Sequence, residues 1–242
     1  MLDALRRFLA GGAHGGDGRA VAAWVARRGA HLVRTSKALV IDGAMGPRAW
    51  RLEWGTPQRG YIQGNELRLR MELGLSQELH MMLLSRPLMD ELERRTFENF
   101  TATMQTQIDA STPEEMRWLA MYPKIALAAN LDFRHRFAVV SSSPQAAVAW
   151  IAGPVAERLS SAARGPLAGA TPFLVMTLRG RIYLRLELPT LDLATFDAMV
   201  DLFETAAERA LLVNGGPGES APWPDTASTV WQTQISPEDR KG

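Results

Sequence analysis

Glu66-Leu67-Arg68-Leu69-Arg70-Met71-Glu72-Leu73 alternates charged and apolar side chains without a break. A strand turns successive side chains to opposite faces, so this pattern puts Leu67, Leu69, Met71 and Leu73 on one face and Arg68, Arg70 and Glu72 on the other. One side suits a core and the other suits water, as in an antiparallel sheet with one covered face. A second stretch, Ile182-Tyr183-Leu184-Arg185-Leu186-Glu187-Leu188, repeats the pattern. The chain therefore reads as α+β, with the two stretches as equivalent strands that lay their aliphatic sides on helices and leave their arginines wet.

Around the first stretch, residues 31–84 carry further strand signals. These are Leu39-Val40-Ile41 before Asp42-Gly43, Trp50-Arg51-Leu52-Glu53-Trp54 before Gly55, then Tyr61-Ile62 before the turn Gln63-Gly64-Asn65, and residues 79–84. Upstream, residues 19–30 predict a helix with Val21, Trp24 and Val25 along one side. Downstream, Ser85 and Pro87 open a helix that carries Leu88, Leu92, Phe97 and Phe100, and the polar residues 101–111 close the block. Thr112-Pro113-Glu114-Glu115 has the form of a capping box and opens a helix through Met116, Leu119 and Met121. Residues 136–140 predict a strand. Ser143-Pro144 caps a helix through Val148, Trp150 and Ile151, which Gly153-Pro154 interrupts. Residues 173–178 and 182–188 form a hairpin about Arg179-Gly180. A helix from Thr195 then turns Phe196, Met199, Val200, Phe203, Ala207 and Leu211 inward and stops at Asn214-Gly215-Gly216.

The ends read differently. Residues 1–18 predict a short helix, with Leu2, Leu5, Phe8 and Leu9 sharing a face, and a glycine-rich hinge from Gly11 to Gly18. Residues 217–242 form a Pro- and Ser-containing tail that carries Trp223 and Trp231, expected to contact the body or a second copy. Between them the chain divides into residues 19–111 and 112–216. The two alternating strands match, and so do Ala22-Ala23-Trp24-Val25-Ala26 and Val148-Ala149-Trp150-Ile151-Ala152. Each part then reads as a Trp-bearing helix, hairpin strands, an Arg-bearing strand and a terminal helix. The expected architecture is two similar halves, each a mainly antiparallel sheet packed against long helices, with an internal duplication as its origin.

Among 242 residues, 27 basic and 26 acidic side chains leave a net charge of +1, without the excess that would draw nucleic acid. No cysteine is present, which excludes disulfides, thiolate metal sites and cysteine nucleophiles, and fits a cytoplasmic setting. Charge divides mildly along the chain, with 15 basic against 11 acidic side chains in residues 1–100 and 12 against 15 in the remainder. The longest uncharged stretch, residues 137–156, is split by Ser141-Ser142-Ser143-Pro144 and again by Gly153-Pro154, so no transmembrane segment is expected. Weak peripheral membrane contact through Leu2, Leu5, Phe8 and Leu9 stays open.

Catalytic chemistry is hard to assemble from these residues. His14, His31, His80 and His135 are scattered, the glycine-rich hinge follows no strand, and Ser141-Ser142-Ser143 lies in no nucleophile elbow. Paired carboxylates at Asp90-Glu91-Glu93, at Glu114-Glu115 and along Asp197, Asp201, Glu204 and Glu208 read as helix-start charge, a capping box and the wet side of a helix. No cofactor, metal or catalytic residue is expected. What remains is the polar strand face, with Arg68, Arg70, Tyr183, Arg185 and Glu187 as the binding residues and its arginines as anion hooks. The leading expectation is a non-catalytic cytoplasmic binding or assembly module that self-associates or holds a protein partner. The alternative is an enzyme whose anionic small-molecule substrate is clamped by Arg68, Arg70, Arg181 or Arg185, with Glu72 or Glu187 as base.

Phe133-Arg134-His135-Arg136-Phe137, the serines that follow, a helix ending Glu157-Arg158-Leu159, and Arg181-Ile182-Tyr183-Leu184 resemble an uncharacterised bacterial domain family. In that family a Phe-x-x-x-Phe-x-Val strand precedes a helix and then a tyrosine-bearing strand. The likeness spans residues 133–188 and implies no catalytic residue. Its members often follow two membrane helices, and this sequence has no such pair to carry the membrane setting over.

Overall fold

The computed structural model describes residues 17–33, 38–103, 112–126 and 131–215. Eight strands lie among the described residues: β1 (His31–Val33), β2 (Ala38–Met45), β3 (Arg48–Gly55), β4 (Glu66–Glu72), β5 (Met81–Ser85), β6 (Phe137–Ser141), β7 (Phe173–Leu178) and β8 (Arg181–Glu187). They form one sheet in the order β1-β2-β3-β4-β8-β7-β5-β6, and every neighbouring pair is antiparallel. The two stretches that match in sequence are adjacent strands at its centre, with Leu67 opposite Leu186 and Leu69 opposite Leu184. The expected pair of sheets is thus replaced by a single one, in which β5 sits between β6 and β7. A shared alternation reports a shared face of a sheet, and neighbouring strands need the same faces as much as repeated ones do.

Seven helices lie among the described residues: α1 (Asp17–Arg27), α2 (Arg86–Thr103), α3 (Glu114–Met121), α4 (Leu131–Arg136), α5 (Pro144–Ile151), α6 (Pro154–Ala162) and α7 (Leu193–Gly215). On one sheet face α1, α5, α6 and α7 cover the large core, where Leu67, Leu69, Met71, Ile182, Leu184 and Leu186 meet Trp24, Trp150, Phe196 and Phe203. Indole N–H groups are satisfied at its rim. Trp24 donates to Asp197 at 2.7 Å, Trp50 to Glu204 at 2.7 Å, and Trp150 to the Ala206 carbonyl at 2.9 Å. Arg28, just past the end of α1, ties it to the second and third turns of α7, donating to Asp197 at 3.0 Å and Asp201 at 2.6 Å. Asp197, Asp201 and Glu204 are therefore clamps between elements rather than the wet side of a helix.

On the other face α2 and α3 cover only the β7-β5-β6 part, through a smaller core of Met82, Leu84, Leu88, Leu92, Trp118, Val140, Leu174 and Met176. Several local expectations change here. Tyr61 and Ile62 lie in the β3–β4 connection and enter this core instead of forming a strand. Phe97, expected on the inner side of its helix, is 69 % exposed. The side chain of Phe100 lies outside the described residues. Residues 131–136 are helical, so the strand expected from residue 136 begins at Phe137 and Arg136 ends a short helix. Helix α7 starts at Leu193, two residues before Thr195, because Asp192 accepts hydrogen bonds from the Ala194 and Thr195 backbone amides.

Gly153 has φ +70° and breaks the chain between α5 and α6, as its pairing with Pro154 predicts. No helix among the described residues is long and apolar enough to cross a membrane. Leu2, Leu5, Phe8 and Leu9, most of the glycine-rich hinge, residues 104–111, and the tail with Trp223 and Trp231 lie outside the described residues.

Candidate functional site

Side chains at even positions of β4 and odd positions of β8 leave the sheet on the side away from the large core. They are aligned by register: Arg51 stands opposite Arg70 and Arg70 opposite Tyr183, while Glu53 stands opposite Arg68 and Arg68 opposite Arg185. Among the described residues no helix covers this part of the face. The β3–β4 connection, residues 56–65, folds back over its margin instead.

The hinge of this arrangement is Glu66, which is fully buried. Its carboxylate accepts hydrogen bonds from the Gln58 backbone amide at 2.7 Å, from Arg68 at 2.9 Å and from Arg185. Arg68 also donates to Glu53 at 3.0 Å and to the Thr56 carbonyl at 2.9 Å. Two arginines directly opposite each other repel. Here one desolvated carboxylate beneath both converts the repulsion into a charge-assisted cluster, and it anchors the returning loop as well. The side chains of Arg68 and Arg185 are each 13 % exposed, yet they lie among carboxylates and not beneath hydrocarbon.

A second buried carboxylate stands where the loop meets α3. Glu115 accepts from Arg59 at 2.6 Å and from the Tyr61 hydroxyl at 2.7 Å, both on Oε1, while Oε2 is buried with no hydrogen-bond partner among the described residues. Burial, with the neighbouring Glu115 charge adding to it, pushes the Tyr61 phenol far above its ordinary range, so Tyr61 stays a donor. The capping box read from Thr112–Glu115 is not made. Pro113 occupies the N-cap position of α3, no side chain caps it, and Glu115 turns into the protein. Glu66 and Glu115 are the charged residues that sequence pattern alone passed over. The first sat inside an alternating strand and the second inside a capping motif, and each position has an ordinary local explanation.

Between the strands and the loop is a small open pocket of about 100 Å³, lined by Arg51, Glu53, Gln58, Arg70, Tyr183 and the Arg68–Arg185 pair. Four of the five expected binding residues, Arg68, Arg70, Tyr183 and Arg185, meet here. Glu187 shares the face but is occupied elsewhere, accepting the Gln63 backbone amide at 2.6 Å. Arg181 pairs with Glu72, and both are more than half exposed. No group of three or more His, Cys, Asp or Glu that could hold a metal ion occurs among the described residues.

Fold and face together define an α+β module whose single antiparallel sheet is covered on one side and only half covered on the other, with an ion-paired arginine face left open. No protein-family model matches the chain, and no curated protein matches it. The crystal structure of the mycobacterial trehalose monomycolate transport factor A, TtfA, is similar over 80 % of this chain and 94 % of that one, at 11 % identity and a TM-score of 0.45. The likeness of residues 133–188 to an uncharacterised bacterial family has no matching family model behind it, and its first motif begins in helix α4 and not in a strand.

Proposed function

We propose that this chain is a non-catalytic binding or assembly module that meets its partner with the open β3-β4-β8 face. The observation that carries the reading is Glu66. A buried carboxylate that holds Arg68 and Arg185 in place makes a pre-organised polar surface, and pre-organisation lowers the ordering cost of binding. The same observation weighs against the anionic-substrate enzyme. Two of its clamps are already saturated by Glu66, and the pocket of about 100 Å³ is well below the roughly 300–1,000 Å³ usual for small-molecule sites. Arg181 and Glu72, offered there as clamp and base, neutralise each other at the margin of the sheet.

Photo-crosslinking of the full chain from position 58, read by mass spectrometry, tests the proposal. Crosslinks to a partner or a second copy are expected from this face, and the Arg51→Glu/Arg70→Glu pair is expected to remove them. Crosslinks that survive the charge reversal unchanged would defeat it. The tail tryptophans Trp223 and Trp231 are a second contact in this proposal. Deleting residues 217–242 should lower the number of copies per particle in solution or the yield of crosslinked partner, and no change in either removes the tail from it.

A further inference from the structure

The face has two places where arginines stand directly opposite each other, and they are resolved differently. Arg68 and Arg185 share Glu66 beneath them. In the other pair, Arg51 is gripped by both oxygens of Asp42, at 2.7 and 2.8 Å, while Arg70 makes no hydrogen bond among the described residues. The carboxylate oxygen nearest to Arg70 belongs to Glu53, 3.8 Å away, and Glu53 already accepts from Arg68 at 3.0 Å. Arg70 is 56 % exposed at the pocket. It is a fork of donors beside a like charge, with half a counterion.

Two neighbours complete a seat. Tyr183 is the residue opposite Arg70 on β8 and lines the same pocket. Gln58 also lines the pocket, its Oε1 accepting from Arg185 at 3.4 Å and its amide nitrogen remaining as a donor. A planar two-oxygen acceptor matches a guanidinium fork, as Asp42 does one strand away on Arg51. The pocket has room for one such group. The Glu53 charge beside it favours a monoanion over a phosphate dianion.

We propose that Arg70, flanked by Gln58 and Tyr183, seats one carboxylate of an acidic peptide segment on a protein partner. This rests on the open face being the recognition face. It adds the chemistry of what is recognised.

The test uses the full chain, triglutamate as the peptide probe, inorganic phosphate as the competing anion, and arginine side-chain Nε–H resonances as the readout at constant ionic strength. Triglutamate is expected to shift the Arg70 resonance selectively, and Arg70→Gln to weaken peptide binding about tenfold, the size of one lost charge-assisted contact. Arg94→Gln, an exposed arginine on α2 paired with Glu91 and outside the pocket, is expected to leave the affinity within about twofold. Equal shifts at all exposed arginines, an unchanged affinity in Arg70→Gln, or tighter binding of phosphate than of triglutamate would each overturn the proposal. A selective Arg70 shift together with crosslinks unaffected by charge reversal would leave the carboxylate seat standing and remove the recognition-face reading. The converse outcome would do the reverse.

Discussion

A single buried carboxylate decides whether the open face is a surface or a source of strain. Without Glu66, Arg68 and Arg185 stand opposite each other with no shared counterion, and the Gln58 amide loses its acceptor. Removing one partner of a buried charge cluster typically costs about 3–5 kcal/mol, so Glu66→Ala should lower stability by that order in urea unfolding. Glu66→Gln, which keeps an acceptor but not the charge, should fall between. A loss under about 1 kcal/mol in Glu66→Ala would mean that water replaces the carboxylate without penalty. His80 gives a second test. Its ring lies 4.6 Å from that of Trp118 and stacks on Tyr122, whose hydroxyl shares a 2.8 Å hydrogen bond with Nδ1. Burial lowers its pKa from the ordinary 6.5, against the pull of Glu114 and Glu78. A histidine held neutral contributes stability above its unfolded pKa and loses it as pH falls through the folded value. Wild-type stability should therefore decline below about pH 6.5, and His80→Gln should flatten that decline in thermal melts between about pH 7 and 5. Little of this was legible in the sequence. Glu66 becomes buried because a loop ten residues long folds back on its strand, and Glu115 because Arg59 and Tyr61 arrive from that loop. Both facts are non-local, and neither leaves a trace in periodicity.

Elements were far easier to read than their partners. Strands β3, β4, β7 and β8 and helices α1, α5 and α7 fall within a few residues of where alternation, helical spacing and turn residues put them, since those signals are local, whereas β2 runs on through Asp42-Gly43, both paired with β3, and turns only at Gly46-Pro47. The β7–β8 turn is one case: Arg179 and Gly180 both adopt positive φ, at 51° and 78°, the geometry a two-residue hairpin requires. Strand order was not legible, because alternation says which way a side chain points and not which strand lies beside it. What aligns β2 with β3 is partly steric. Gly43 stands opposite Trp50, and a Cβ at Gly43 would lie 2.1 Å from the indole Cζ2. That indole is 2 % exposed and donates to Glu204 of α7 at 2.7 Å, so it cannot swing aside without giving up the contact between sheet and helix. Gly43→Ala should destabilise the protein by about 1–3 kcal/mol, as overpacking does, and should disturb the Trp50 indole N–H resonance. Gly46→Ala, at a turn with open space around it, carries only the strain of its φ of +56° and should leave that resonance in place.

At the scale of the molecule, the two cores are not two bodies. Strands β5 and β7 send alternate residues to each: Leu83 and Val175 to the large core, and Met82, Leu84, Leu174 and Met176 to the small one. Losing either core would bare apolar side chains on the same two strands, Met82, Leu84, Leu174 and Met176 in one case and Leu83 and Val175 in the other, so neither core opens without weakening the strands of the other. The large core is also closed by the outermost described helices, α1 and α7, joined through Arg28 to Asp197 and Asp201. Few contacts of the sheet can therefore form early, and many can only be lost together. Unfolding should accordingly be a single transition. Trp118 reports on the small core and Trp24, Trp50, Trp54 and Trp150 on the large one, so their assigned indole N–H resonances in the unmodified protein can be followed through urea beside far-UV dichroism. Coincident midpoints are expected from all of these signals. A Trp118 transition displaced to lower urea would instead make α2, α3 and their half of the second face a separately stable unit. In that case the cover of the sheet, rather than the sheet itself, would decide how much of the arginine face is open to a partner.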